Sequence, residues 1–331
     1  MLTTRRGQAR AYSGAVHSSR TPAAGRRSPR RAATALRTGT GIVLALLSAS
    51  LVSVLVPLHW VDDTVLSTDG FTRAVGTLAD DRRFQEELAR GVVDRAADTL
   101  VGESTGLPFL DRLVDNLSRR AADAAAELTA DPAYQRAWTR TLIRSHEANV
   151  PTEGTAEQAP RNLVVDLTPM LREIDTAVER SVGVDVGLAE RGGVLTVPGL
   201  GTGRLIETAA RLTALAVPMT WAAAVLAALA LLVTRHRFAT LAVLGLGSLA
   251  GLGVVRVLVA DTAQRVTGVL DADPVAALVV ERVTALLLGS LGEELAAAAW
   301  VAGITGAVGV VGAVGAALVS YASRRGARPA A

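Results

Sequence analysis

Four histidines and no cysteine limit the chemistry open to this 331-residue chain. His17, His59 and His236 stand apart from other reactive side chains, and only His146 has acids that could serve it: Glu147 beside it and Asp166 further along. A histidine next to a carboxylate could act as a general base or hold a metal. The zinc-protease pattern needs a second histidine four residues on, where this chain has Val150. A structural or catalytic metal would need further ligands, and no other histidine is near to supply them. His146 therefore reads as a surface or helix-end residue. Disulfides and Cys-ligated metals are excluded outright.

Two glycine-rich strings invite a chemical reading. Gly102-Glu-Ser-Thr-Gly106 superficially resembles a nucleophile elbow, but that motif sits on a strained strand-to-helix turn, and here no strand precedes it. It reads as a loop between helices. Gly199-Leu-Gly-Thr-Gly203 resembles a phosphate-binding run without the closing Gly-Lys-Ser/Thr, and reads as a flexible hinge. The sequence thus yields no catalytic residue, no cofactor-binding residue and no metal ligand, and the expectation is a non-enzymatic protein without cofactors.

The elements that carry these residues are set by a long-range segregation of apolar and charged residues. Hydrophobic residues make up 50% of the chain and aromatic ones 3%. The excess of Ala, Val and Leu is gathered into long runs, as in membrane proteins. All 34 basic residues are Arg. Nine of them and no acid fall in residues 1–61, whereas residues 62–207 hold 25 acids against 16 Arg and residues 261–295 six against two.

The predicted organisation follows. Residues 1–38 form a disordered basic cytoplasmic arm, and 39–60 a first transmembrane helix. Residues 61–208 form an extracytoplasmic helical domain. The second transmembrane helix covers 209–234 and the third 238–260. An extracytoplasmic amphipathic helical loop covers 261–294, the fourth transmembrane helix 295–322, and a cytoplasmic tail 323–331. The 39–60 stretch reads as an uncleaved anchor, since its basic region is too long for a signal peptide and no small-residue cleavage site follows. Arg235-His-Arg237 leaves room only for a tight connection. The arm, this turn and the Arg324, Arg325 and Arg328 tail share one side of the membrane. The positive-inside rule makes that side cytoplasmic in a multi-pass cell-membrane protein. The arm has only Tyr12 for stacking on bases, so it reads as a membrane-surface segment, and no nucleic acid is expected.

Within the spans, Arg256 is the only charge near an interior and can snorkel or pair with Asp261. Pro218 could kink the second span. Gly247 and Gly251, and the row Gly303, Gly306, Gly309, Gly312 and Gly315, permit close helix approach. They imply either a compact bundle or a homo-oligomer through the fourth span, and the sequence leaves both open.

The fold class expected is mainly α: four transmembrane helices plus an extracytoplasmic helical domain with a small two-stranded β element. In the domain, Thr68-Asp69 is expected to cap one helix and Asp80-Asp81 to open the next, with Phe84, Leu88, Val92 and Ala96 along one face. Leu107, Leu110, Leu113, Val114, Leu117, Ala121 and Leu128 stripe a third helix. Asp131-Pro132 starts a fourth that runs to about Glu147. Residues 149–160 read as a loop, 162–167 and 193–197 as paired strands, 169–181 as a short helix. From about Gly201 the chain re-enters helix into the second span. At an offset of 50, Leu78, Asp81, Phe84 and Gln85 are echoed by Leu128, Asp131, Tyr134 and Gln135, with a fainter copy from Asp273-Pro274.

Four strings, Trp60-Val-Asp-Asp-Thr-Val-Leu-Ser-Thr-Asp-Gly-Phe71, Leu78-Ala-Asp-Asp81, Tyr134-Gln-Arg-Ala-Trp138 with His146 nearby, and Val165-Asp-Leu-Thr-Pro169, resemble a family of uncharacterised actinobacterial integral membrane proteins. The likeness covers most of residues 58–320, and Val65–Phe71 is its most specific part. It implies four spans with a large extracytoplasmic loop and carries no catalytic residue across. Two function classes follow. One is a non-enzymatic envelope protein presenting its outer domain to another envelope protein or ligand, anchored in the lipid bilayer. The alternative is a transporter or channel component, against which the nearly uncharged spans argue. An enzyme on the outer face ranks third.

Overall fold

The computed structural model describes residues 29–101, 116, 119–120, 123, 127–129, 131–150, 162–183, 187, 189–190, 193–197, 202–267 and 274–326. Among the described residues the chain is mainly α, with one two-stranded antiparallel sheet and four helices long and apolar enough to cross a membrane. These candidate spans are Leu36–Leu66, Ala216–Val233, Arg237–Asp261 and Pro274–Arg325.

Helix α1 covers Pro29–Trp60 and runs on through one π-type turn, Val61–Leu66. Its first ten residues lie in the segment expected to be a disordered arm. Proline fits a first helical position because its missing N–H is unpaired there anyway. Helix α2, Thr68–Val75, is capped by Ser67, whose Oγ accepts from the Gly70 N–H at 3.2 Å. The cap is thus one residue earlier than the Thr68-Asp69 expected, because Ser67 already has the extended backbone a cap requires. A short 3₁₀ turn, Gly76–Ala79, leads to α3, Arg82–Val101, where Asp81 Oδ1 accepts from the Phe84 N–H. Helix α4, Pro132–Asn149, opens as expected on a capping Asp131 and a first-turn proline. Most of the third predicted helix, the loop after α4 and Gly102–Gly106 lie outside the described residues, although Leu128 is helical and buried.

Strands β1, Leu163–Asp166, and β2, Val194–Val197, pair antiparallel from Leu163↔Val197 to Asp166↔Val194. A further bond, Leu167 N–H to Gly193 O at 2.6 Å, extends the pair. The other edge of β1 is covered by α4. The Asn149 side chain donates to Val164 O and accepts from Val164 N, while the Ser145 hydroxyl accepts from Asp166 N. A helix thereby satisfies an edge that would otherwise invite pairing with another chain. Helix α5, Thr168–Val182, follows and ends on Gly183 at φ 77°, a left-handed position that glycine takes without a Cβ penalty.

The chain returns through α6, Thr202–Thr213, and α7, Ala216–Val233. A single helix into the second span was expected, but Ala214 and Leu215 form a turn between the two. The cause is Pro218, which lacks the N–H that would bond to Ala214 O and whose ring crowds that carbonyl. Helix α8, Arg237–Thr267, leads to α9, Pro274–Gly326. Here the structure departs most from expectation. The amphipathic segment and the fourth span are one uninterrupted helix of 53 residues, about 80 Å long at 1.5 Å per residue.

In the bundle, α1 packs on α7 and α8, and α8 on α9. The glycines settle which helices they serve. A β-carbon at Gly247 would meet Ala49, and one at Gly251 would meet Ser53, so this pair seats α8 on α1. Gly245 and Gly306 face each other, Gly309 faces Ala242 and Gly312 faces the Phe238 ring, so this row seats α9 on α8. Interhelical hydrogen bonds from Ser48 Oγ to Ala223 O and from Ser53 Oγ to Ser248 O add polar ties.

The core of the 61–213 domain gathers Phe84, Leu88, Tyr134, Trp138, Met170, Leu171, Ile174 and Val178, with Phe84 and Trp138 edge to face at 5.7 Å. Val275 and Val279 of α9 belong to that same core, and Leu291 and Leu295 of α9 belong to the bundle core. The offset-50 echo has a physical meaning here. Phe84, Leu88 and Val92 of α3 and Tyr134, Trp138 and Leu142 of α4 are matched buried positions of one core.

Tyr134 donates its phenol proton to Gln85 Oε1 at 2.7 Å, and Gln85 Nε2 donates to Leu78 O. Burial pushes the phenol well above the ordinary tyrosine range. The unfolded chain releases this proton near pH 10 while the folded chain keeps it. The stability this gives is therefore complete below about pH 10 and falls away as the pH rises further. Unfolding followed at pH 8 and pH 11 is expected to show a loss at the higher pH that Tyr134→Phe removes. At pH 8 the same variant costs about 1–3 kcal/mol, since Gln85 keeps a buried acceptor without a donor.

Candidate functional site

A buried polar group lies where the first span enters the domain. The π-type turn Val61–Leu66 ends at Ser67, and the chain reverses into α2 against it. The reversal requires Gly70, because a β-carbon there would fall on the Asp63 carbonyl. π-type turns inside helices are frequent at functional sites, since they redirect the carbonyls around them.

His146, in the last turn of α4, closes this junction. Only 5% of its surface is exposed, so the helix-end expectation holds and the surface one does not. The physical reason is that the ring is held on three sides. Nε2 lies 2.9 Å from Val65 O and Nδ1 3.1 Å from Thr68 Oγ1, while Phe71 packs against its plane with centroids 4.9 Å apart. A carbonyl can only accept, so Nε2 carries the proton and, in the neutral ring, Nδ1 accepts from the Thr68 hydroxyl. Val65, Ser67, Thr68, Gly70 and Phe71 all act at one place: carbonyl anchor, cap, hydroxyl donor, close approach and ring partner.

The acids that might have served His146 do other work. Glu147 is exposed. Asp166 Oδ1 accepts from Thr168 N at the start of α5, and Oδ2 lies 3.9 Å from Arg144 Nη1. The contacts of the ring tie the end of α4 to the turn after the first span and to α2. Arg256 is exposed on α8, five residues before the Asp261 end of the third candidate span. Gly203, from the glycine run before α6, is buried at the start of that helix.

Sequence reasoning singled out the Val65–Phe71 string but did not connect it to His146. No spacing rule links residues 65–71 to a helix that starts sixty residues later. Their pairing depends on the turn and on α2 folding back. Removing the ring by His146→Ala is expected to leave Val65 O and the Thr68 hydroxyl unpaired, at about 1–3 kcal/mol. The readout is faster amide hydrogen exchange confined to residues 61–75. Unchanged exchange there would show that the ring does not hold the junction. No known protein family, curated protein or solved structure matches this chain.

Proposed function

We propose that this is a multi-pass cell-membrane protein of non-enzymatic type, with both termini cytoplasmic. It holds the 61–213 domain on the extracytoplasmic face as a binding module for another envelope protein or a ligand. The observation that carries this reading is α9, whose residues enter both the domain core and the bundle core. A domain tied this way keeps a fixed stance on the membrane, as a surface offered to a partner requires. The charge distribution supports the orientation: the Arg-bearing start of α1, the Arg235–Arg237 connection and the Arg324–Arg325 end of α9 lie at the bundle end away from the acidic domain. The resemblance to actinobacterial membrane proteins with a large outer loop points the same way. His146 supports a structural role, with both ring nitrogens already engaged.

The test uses the cysteine-free background. Thr176→Cys in α5, His236→Cys in the α7–α8 connection and Ser323→Cys near the end of α9 are all exposed positions. Treated with an impermeant maleimide in intact cells, Thr176→Cys is expected to label at once and the other two only after permeabilisation. The reverse pattern overturns the orientation. Photocrosslinking from Arg136 and Thr139, exposed on α4, is expected to give one discrete adduct in the envelope. A diffuse background at both positions would overturn the binding role.

A further inference from the structure

Helix α7 is short for its task. Eighteen residues rise about 27 Å, less than the roughly 30 Å of a bilayer's hydrocarbon core. Its outward row, Val217, Trp221, Val225, Leu229 and Leu232, is exposed at helical spacing, as a lipid-facing stripe should be. Exposed leucines go on into the turn and α6, where Leu215, Leu212 and Leu205 are 51%, 49% and 66% exposed. The opposite side of α6 is occupied: Gly203 and Thr213 are buried, and the helix packs on the π-type turn and the end of α1. Arg204 and Arg211 flank the leucines on the outward side, and Arg211 pairs with Glu207 one turn before it.

We propose that α6 is an interfacial helix that seats Leu205 and Leu212 in the leaflet α7 enters. Its occupant is the bilayer surface itself, with Arg204 and Arg211 at the level of the lipid phosphates. The argument has three parts. Leucines left in water forgo the stabilisation that removing their apolar surface from water would bring. The span needs about two more apolar residues to cross, and Leu215 and Leu212 are the exposed apolar side chains just before Ala216. The break that Pro218 imposes at Ala214–Leu215 frees α6 from the span axis, so that it can lie along the interface rather than project from it. Leucine on one edge with arginine beside it is the pattern by which helices settle between acyl chains and headgroups.

This inference rests on the membrane reading above, and the experiment separates the two. Single cysteines carrying spin labels are placed at Leu205, Leu212, Val225 and Thr176 in the full chain, reconstituted in phosphatidylcholine–phosphatidylglycerol vesicles. Collision rates with oxygen and with a water-soluble nickel chelate give the depth of each site. Val225 is expected deep and Thr176 in water. Failure of either control sinks the span or domain assignment, and the α6 proposal falls with it. With the controls in place, Leu205 and Leu212 are expected to collide at least five-fold less often with the nickel chelate than Thr176 does, at a shallower depth than Val225. Nickel collision at either leucine equal to that at Thr176 overturns the proposal. So does shielding from both reagents, which would place these leucines against protein.

Discussion

Replacing Gly309 with leucine is expected to pry α9 from α8 and to lower the stability of the bundle by about 3 kcal/mol or more. The expectation comes from what a side chain would meet. At Gly309 the first added carbon falls on the backbone nitrogen and Cα of Ala242, and at Gly245 it falls on the backbone of Gly306. No rotamer change moves a backbone, so the helices must separate. In a bilayer the loss is not softened by hydrophobic association, because lipid tails are as apolar as the side chains. What holds the seam is close packing, which falls off steeply with distance. Gly312 is a graded case, since its β-carbon would meet the Phe238 ring, which can swing aside at lower cost. Gly315 is the control: nothing lies within 4 Å of a β-carbon there, and alanine should be neutral or slightly stabilising. Unfolding of the full chain in detergent by heat or by SDS is expected to rank Gly309→Leu and Gly245→Leu lowest, Gly312→Leu between, and Gly315→Ala at or above the parent. Equal midpoints for Gly309→Leu and Gly315→Ala would show that the seam is not where the structure puts it.

The same glycines show how much of the molecule can be read in the sequence. Their spacing announces close helix approach, but a row of small residues is identical whether its partner is another span or another copy of the chain. Only the facing residues, Ala242 and Phe238 on α8, decide the matter, and they are seventy residues away in the sequence. The local elements are the most legible. Asp131-Pro132 caps α4, and β1 and β2 fall within the expected stretches, because caps, first-turn prolines and β-branched runs act over a few residues. The junction is least legible. His146 looks like one more helix-end histidine until α2 folds back, and the partners that define it, Val65, Thr68 and Phe71, come from one stretch more than seventy residues earlier. The length of α9 was hidden for a different reason. The charge of Glu281, Arg282, Glu293 and Glu294 marks where hydrophobic crossing begins, but charge does not end a helix, and no proline lies between Pro274 and Gly326 to do so.

Gly289→Pro is expected to uncouple the domain from the bundle, at a cost of about 3 kcal/mol or more, while Gly289→Ala leaves the coupling intact and adds up to about 1 kcal/mol. The site is chosen for what it lacks. Nothing lies within 4 Å of a β-carbon at Gly289, so neither variant disturbs packing and the comparison isolates the backbone. Proline there removes one helical hydrogen bond, that to the Ala285 carbonyl, and crowds it. The position separates Leu286 and Leu287, packed on the domain core, from Leu291 and Leu295, buried in the bundle core. It also adjoins Ser290, whose hydroxyl accepts from Trp60 Nε1 at 3.0 Å and so ties α9 to the end of the first span. Two other connections join the halves: the π-type turn, locked by His146, and the turn between α6 and α7. The π-type turn depends on side-chain bonds worth about 1 kcal/mol each, whereas α9 offers continuous helix. Distances measured by pulsed electron resonance between spin labels at Thr176 and Val310 test the ranking in reconstituted protein. The parent and the alanine variant are expected to give one narrow distribution, and the proline variant a broad or split one. A narrow distribution in the proline variant would pass the coupling role to the histidine-locked turn. His146→Ala in the same background would then be the change that broadens it.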